Sequence, residues 1–487
     1  MGLHRIFGTS DNEIRVVGCR WAYFPSQLGV GYVQRIGEAL SRFTHRYVPD
    51  SFIFAILLTL VVYAMGLVFT DRGPYQLVLD WYGGFWNLLA FGMQMTLILV
   101  TGYALANTAV VRRGLQRLAD WPRSPRQAVA LVAFVTGALG LINYGLSLVA
   151  GALLALEIGR SCARRGIKVH FPLLVAAGYI GLMIWHGGLS GSAPLTVNTP
   201  GHFLEQQMGL LPLTETLFRP FNIIVALVLL FLSPWIMARM HPADGEVVAM
   251  PPALAGSSGN GAAAAAEPPL ASGGPAEQLT LAERLENSRV LVGLVVVAGV
   301  VSIVSAFAQK GIAALDINMV IFIFLVLGLL LHGTPIRYAQ AVADGVRSAS
   351  GVILQFPFYA GIMGIMTSSG LVAVIANWFV AISTPLTFPF WIFVSAALVN
   401  LAVPSGGGQW AVQGPIVIQA AQALNLDLGK AVMAVAFGDE LTNMIQPFWA
   451  LPLLGMTGLR AGQILGYTAV VMLAAFVVMS VGLVLLP

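Results

Sequence analysis

Along the chain, apolar stretches near span length alternate with short polar segments. A helix needs about 20 apolar residues to cross ~30 Å of hydrocarbon. Stretches of that kind lie at 51–70, 83–109, 220–238, 290–308, 316–332, 348–370 and 463–486. Four further apolar stretches are interrupted. Residues 127–158 break at Ile142-Asn143-Tyr144-Gly145, and 171–200 break along the run from Trp185 to Pro194. Residues 395–424 break at Asn400 and at Pro404-Ser405-Gly406-Gly407-Gly408-Gln409, and 430–453 break between Gly438 and Pro447. Interior prolines remove an amide hydrogen bond and glycines destabilise a helix, so regular helix should fail at each place. Pro447 suits the first turn of a restarting helix.

Irregular backbone at membrane depth persists only where protein or a water-filled cavity satisfies its polar groups. The pattern therefore predicts an all-α polytopic membrane protein with two re-entrant hairpins (127–158 and 395–424), each followed by a broken helix. Carriers use this arrangement to hold a solute near the bilayer midplane.

The interruptions repeat. Gly181 follows Asn143 by 38 residues, and Gly438 follows Asn400 by the same 38. Tyr75 with Asp80 echoes Tyr338 with Asp344, and Gln94 and Gln355 precede the two asparagines at similar distances. An odd number of crossings separates the halves, which predicts inverted topology. The resulting division is a cytoplasmic extension at 1–50, a first transmembrane repeat at 51–240 and a linker at 241–288. An extra helix at 289–310 and a second, inverted repeat at 311–487 follow. Residues 33–50 read as a short amphipathic helix on the inner membrane surface. The linker, rich in Ala, Gly, Pro and Ser, reads as disordered, and Thr280 with Glu283 forms a capping-box pattern after it.

Charge agrees with nine spans. With the N-terminus inside and the C-terminus outside, 21 of the 25 basic residues fall on the inner side, as membrane topology favours. Only Arg72, Arg219, Lys310 and Lys430 fall outside. Just 9% of residues are charged and 57% are hydrophobic, with a mean hydropathy of +0.82, so no soluble catalytic domain fits. Two cysteines, Cys19 and Cys162, exclude a disulfide framework or a multi-cysteine metal site. There is no Gly-x-Ser-x-Gly elbow of a hydrolase and no P-loop, so acyl-enzyme chemistry and ATP-driven transport find no support. Membrane lipid is the expected surrounding, and no nucleic-acid partner is expected.

The segments FWNLLAFGMQM (85–95), YIGLMIWHGGLSGSAP (179–194), VILQFPFYAGI (352–362), NLAVPSGGGQW (400–410) and QPFWALP (446–452) resemble the short-chain fatty acid transporter family of the ion-transporter superfamily. The resemblance runs from about residue 36 to the end, with a gap at the linker. It implies secondary uptake of short monocarboxylates such as acetoacetate or butyrate across the bacterial inner membrane. A homodimer is also implied. The alternative is a C4-dicarboxylate or other organic-anion carrier on the same scaffold.

No Arg or Lys lies at bilayer depth to clamp a carboxylate, apart from Lys430 at a boundary. Helix N-termini and neutral side chains must bind it. The substrate-binding candidates are Asn143, Ser190, Ser192, Asn400, Ser405, Gly406, Gly407, Gly408, Gln409 and Asn443. Asp439 and Glu440, an acidic pair within an apolar segment, are the candidates for coupling to Na+ or H+, because carboxylates at membrane depth are costly. Sodium near Asn143 and Asn400 is a further expectation, and no cofactor is expected. His186 reads as a satisfied polar residue beside its break. Tyr144, Trp410, Phe448 and Trp449 are candidate walls of an acyl pocket.

Overall fold

In the computed structural model, which describes residue 39, residues 51–255 and residues 280–486, the apolar stretches become helices and the described residues contain no strand. Cys19, the linker from 256 to 279 and the helix expected at 33–50, apart from Ala39, lie outside the described residues.

The first half runs through α1 (Ser51–Phe69), α2 (Pro74–Gly84), α3 (Leu89–Ala106) and α4 (Ala109–Ala119). A helical hairpin follows, made of α5 (Pro125–Ile142) and α6 (Tyr144–Arg164), with Asn143 alone between them. Next come α7 (Phe171–Ala177), two 3-10 turns at Ile180–Met183 and Trp185–Gly187, and α8 (Ser192–Asn198). The short α9 (Glu205–Met208) leads to α10 (Pro220–Arg239). After α11 (Pro252–Ala255), α12 (Leu281–Glu286) opens on the expected Thr280–Glu283 capping box. The second half then begins with α13 (Arg289–Lys310), α14 (Ile317–His332), α15 (Pro335–Ser368) and α16 (Leu371–Ile382). The second hairpin is α17 (Phe388–Asn400) and α18 (Gly406–Ala423). It is followed by α19 (Leu428–Thr442), a 3-10 turn at Asn443–Ile445, α20 (Leu451–Thr457) and α21 (Leu465–Leu485).

Eight helical segments among the described residues are long and apolar enough to cross a membrane. Several differ from the expected spans. The 83–109 stretch divides into α2's last turn and α3, because residues 85–88 form turns rather than helix. α15 is 34 residues long and carries Pro357 within it, so it begins well before 348. The 12-residue α16 had no counterpart in the expected layout. Both arms of the first hairpin reach crossing length, whereas α17 has only 13 residues.

Packing sorts the helices. α15 lies against α1, α2, α3 and α18, while α19 lies against α17 and α18. α5 packs on α6 and α10, and α10 packs on α21. The 3-10 turn at Ile180–Met183 sits against both arms of the first hairpin. Close packing at that point requires glycine: a Cβ on Gly181 would fall on Ser147 Oγ and Thr136 O. Gly438 stands in the same relation to the second hairpin, where a Cβ would lie 2.5 Å from Ala396 Cβ and 2.8 Å from Ala397 N.

Distant charged segments meet at the ends of the molecule. Arg165 donates to the carbonyls of Asp120 and Pro122 at 3.0 and 2.7 Å. At the other expected face, Arg219 pairs with Asp427, and Lys430 Nζ donates to Leu486 O at 2.6 Å.

The linker expectation needs a correction at its start. Residues 241–255 fold back as a strap beneath α6 and α7. Phe171 N donates to Val248 O at 2.9 Å, Arg160 Nε donates to Leu254 O at 2.9 Å, and Met250 is buried against Gly159.

Candidate functional site

The two breaks and the tip of the second hairpin converge on one buried polar cluster. On the first break, Gly187, Gly188, Gly191 and Pro194 prevent a continuous helix and leave Trp185 and His186 in a 3-10 turn. The His186 ring stacks on Trp185 at 4.2 Å between centroids. On the second break, α19 continues through Gly438 to Thr442, so Asp439 and Glu440 lie in its last turns. Neither carboxyl caps a restarting helix. Pro447 does not open that helix either: it sits in a turn, with Ala450 N donating to its carbonyl at 3.0 Å, and α20 begins at Leu451.

The acidic pair is joined to the first break. His186 N donates to Glu440 Oε2 at 2.8 Å, and His186 Nδ1 lies 3.1 Å from Asp439 Oδ2. Ala193 N, in the first turn of α8, donates to His186 Nε2 at 3.2 Å. All three side chains are closed to solvent, with His186 at 0% and each acid at 1% exposure. Asp439 Oδ1 is buried without a hydrogen-bond partner among the described residues.

The hairpin tip rests on this cluster. Ser405 caps α18 by accepting from Gly408 N at 3.2 Å. The three glycines permit close approach: a Cβ on Gly406 would meet Trp185 and His186. One on Gly407 would meet Met95, and one on Gly408 would meet Tyr359. In the first turn of an α-helix the amides have no intrahelical acceptor. Gly408 and Gln409 donate to Ser405, which leaves the Gly406 and Gly407 N–H groups at the positive end of α18. The benzo edge of Trp185 packs against Gly406, and its indole N–H is buried and unpaired among the described residues.

The candidates divide into two groups. Asn400, Asn443, Asp439, Glu440 and the Ser405–Gly408 tip share the cluster. Asn400 Nδ2 donates to Asp439 O, to Thr442 Oγ1 at 3.0 Å and to Asn443 Oδ1 at 3.1 Å. Gln446 Nε2 donates to Asn400 O at 2.9 Å. Asn143 and Ser190 lie at the other hairpin. Asn143 Oδ1 caps α6 through Leu146 N at 2.9 Å, and its Nδ2 donates to Ile98 O at 3.3 Å. Ser190 Oγ accepts from Tyr144 N at 3.1 Å. The two asparagines therefore differ: one caps a helix, and the other ties its hairpin to a broken helix. Both atoms of the Asn143 amide are already bonded to protein, whereas Asn400 Oδ1 has no partner among the described residues. Ser192 is the first residue of α8. Gln409 Nε2 donates to Ala396 O at 2.8 Å and to Gln413 Oε1 at 3.0 Å, inside the second hairpin.

Aromatic rings fill the space between the two tips. Tyr144 lies 4.7 Å from Trp185 and 5.9 Å from Trp449, whose Nε1 donates to Pro404 O at 3.0 Å. Phe448 packs on Trp449 at 5.2 Å. Trp410 is a wholly buried ring within α18. Sequence reasoning passed over Trp185 and treated His186 as a bystander. His186 is satisfied, as expected, but by the acidic pair of the other half. The available signal was electrostatic: two buried carboxyls need donors, and His186 was the titratable group within the facing break.

Comparison with known proteins adds the following. The family description "Short chain fatty acid transporter" matches residues 32–486. A protein of Escherichia coli (strain K12), provisionally named a short-chain fatty acid transporter, is 43% identical over 93% of this chain and 100% of its own length. A Haemophilus influenzae protein of the same provisional name is 40% identical over 93% of this chain and 99% of its own length. Among solved structures, the YdaH transporter of Alcanivorax borkumensis aligns with TM-score 0.55 at 15% identity, covering 89% of this chain and 98% of that one. MtrF of Neisseria gonorrhoeae, described with a class of antimetabolite efflux pumps, aligns with TM-score 0.54 at 14% identity, covering 92% and 97%. These two likenesses concern the fold.

Proposed function

Because this chain belongs to the short chain fatty acid transporter family, we propose that it carries short monocarboxylates of the acetoacetate and butyrate type across the bacterial inner membrane by cation-coupled secondary transport. The observation that carries the reading is the α18 N-terminus. There the Gly406 and Gly407 amides stand at the positive helix end, and Gly406 packs against the benzo edge of Trp185. The Trp185 indole N–H is itself unpaired among the described residues, and no Lys or Arg among the described residues joins the cluster. Such a set of neutral donors binds a single carboxylate and releases it again. The rings of Tyr144, Trp185 and Trp449 supply apolar walls for a chain of a few carbons.

Coupling falls to Asp439 and Glu440, the first of which is tied through its carbonyl to Asn400 at the end of α17. Two hairpins, each followed by a broken helix with a glycine seated on it, favour an inverted repeat in which both hairpins re-enter. The fall of 21 of the 25 basic residues on the inner side of the expected topology favours a cytoplasmic N-terminus. Asp439, Glu440, Asn400 and the α18 tip are buried here, so transport requires the tips to move apart.

The test is counterflow in proteoliposomes preloaded with butyrate, challenged with labelled C2–C6 monocarboxylates and C4-dicarboxylates. Saturable exchange confined to monocarboxylates is expected. Preference for dicarboxylates moves the reading to the alternative organic-anion carrier, and non-saturating flux makes the protein a pore.

A further inference from the structure

We infer that His186 is the positioning residue of the coupling site: its ring fixes the Asp439 carboxyl so that Oδ1 alone is presented to the transported cation. This rests on the reading of the chain as a cation-coupled carrier. The geometry carries it. The Ala193 N–H points at Nε2, which makes that nitrogen the acceptor and puts the ring proton on Nδ1. The Nδ1–H then donates to Asp439 Oδ2. Stacking on Trp185 holds the ring plane, and Gly406 approaches so closely that a Cβ there would meet the ring. Asp439 Oδ1 stays buried and unpaired, although buried carboxyl oxygens are ordinarily satisfied. Glu440 is held separately by the His186 backbone amide, so replacing the ring leaves that contact in place.

The arrangement also links the cation to the carbon chain's site. The same imidazole bonds Asp439 through Nδ1 and, at the neighbouring Cε1, lies against Gly406 at the tip proposed to take the carboxylate. A shift of the α18 tip displaces the ring, and a displaced ring releases Oδ2.

Two substitutions separate positioning from packing. The Asn side chain places its amide where Nδ1 stands and can still donate to Asp439, whereas the Gln amide reaches toward Nε2 and cannot. Full-length wild type, H186N and H186Q are reconstituted, with substrate exchange and gradient-driven accumulation of labelled butyrate measured against cation concentration. H186N should keep accumulation with a cation requirement within about threefold of wild type. H186Q should need about 10- to 100-fold more cation, the usual cost of losing a partner that orients a ligating group. Butyrate exchange itself should persist in H186Q, and any change in its KM should be shared by H186N, because both variants lose the ring beside Gly406. Equal behaviour of the two variants overturns the inference, as does loss of exchange in H186Q or failure of both variants to fold. Wild type that exchanges but never accumulates under any imposed cation gradient refutes the coupled-carrier reading itself, and this inference with it.

Discussion

At the scale of single residues, the equal 38-residue spacing from Asn143 to Gly181 and from Asn400 to Gly438 was readable in the sequence. Its glycine half has a direct physical cause. Each glycine seats a broken helix on the preceding hairpin at a separation that leaves no room for a methyl group. Gly438→Ala should therefore lower stability by about 1–3 kcal/mol, the usual cost of forcing an extra group into a packed site. Gly293→Ala, with open space around it, should be neutral or slightly stabilising. Thermal unfolding of the two variants in detergent checks this, and equal midpoints would remove the packing argument. The asparagine half was readable only as a position. Nothing in the sequence said that Asn143 caps α6 while Asn400 binds α19, because that depends on which backbone passes nearby. His186 shows the same limit: its acidic partners are more than 250 residues away.

At the scale of elements, hydrophobic patterning located the hairpins and breaks but not the exact ends of helices. Pro447 was a sound restart signal on local grounds, yet the turn after Gln446 extends to Ala450 and the helix restarts beside Pro452. The strap at 241–255 was not legible, since its composition matches a linker and its order comes from long-range contacts. His170 is its anchor. Val248 N donates to His170 Nδ1 at 3.0 Å, so Nε2 carries the proton and donates to Tyr467 Oη at 3.0 Å. His170 N donates to His241 Nε2 at 3.0 Å. Burial, with a smaller contribution from His241, lowers the His170 pKa from 6.5 to about 4. A histidine depressed on folding stabilises the docked strap above pH 6.5, and that contribution is lost as pH falls from 6.5 toward about 4. Hydrogen exchange across 241–255, corrected for intrinsic rates, should be faster at pH 5 than at pH 7.5. His170→Gln should flatten the difference. Protection that is the same at both pH values would show that His170 does not set the strap.

At the scale of the whole molecule, the all-helical membrane fold and the family were legible because long apolar runs and long ordered motifs survive without any knowledge of contacts. The joining of the two halves was not: it consists of one imidazole, two carboxyls and a glycine tip brought together from separate segments. On the proposed reading, coupling is a property of that joined state, in which the cation site at Asp439 and the carboxylate site at the α18 tip meet at His186. The most direct test is to compare Asp439→Asn with wild type in proteoliposomes, measuring butyrate counterflow and gradient-driven accumulation on the same preparation. Counterflow should survive within a few-fold while accumulation against a gradient is abolished, because exchange needs no net cation movement. An Asn variant that still concentrates butyrate as wild type does would contradict a coupling role for Asp439.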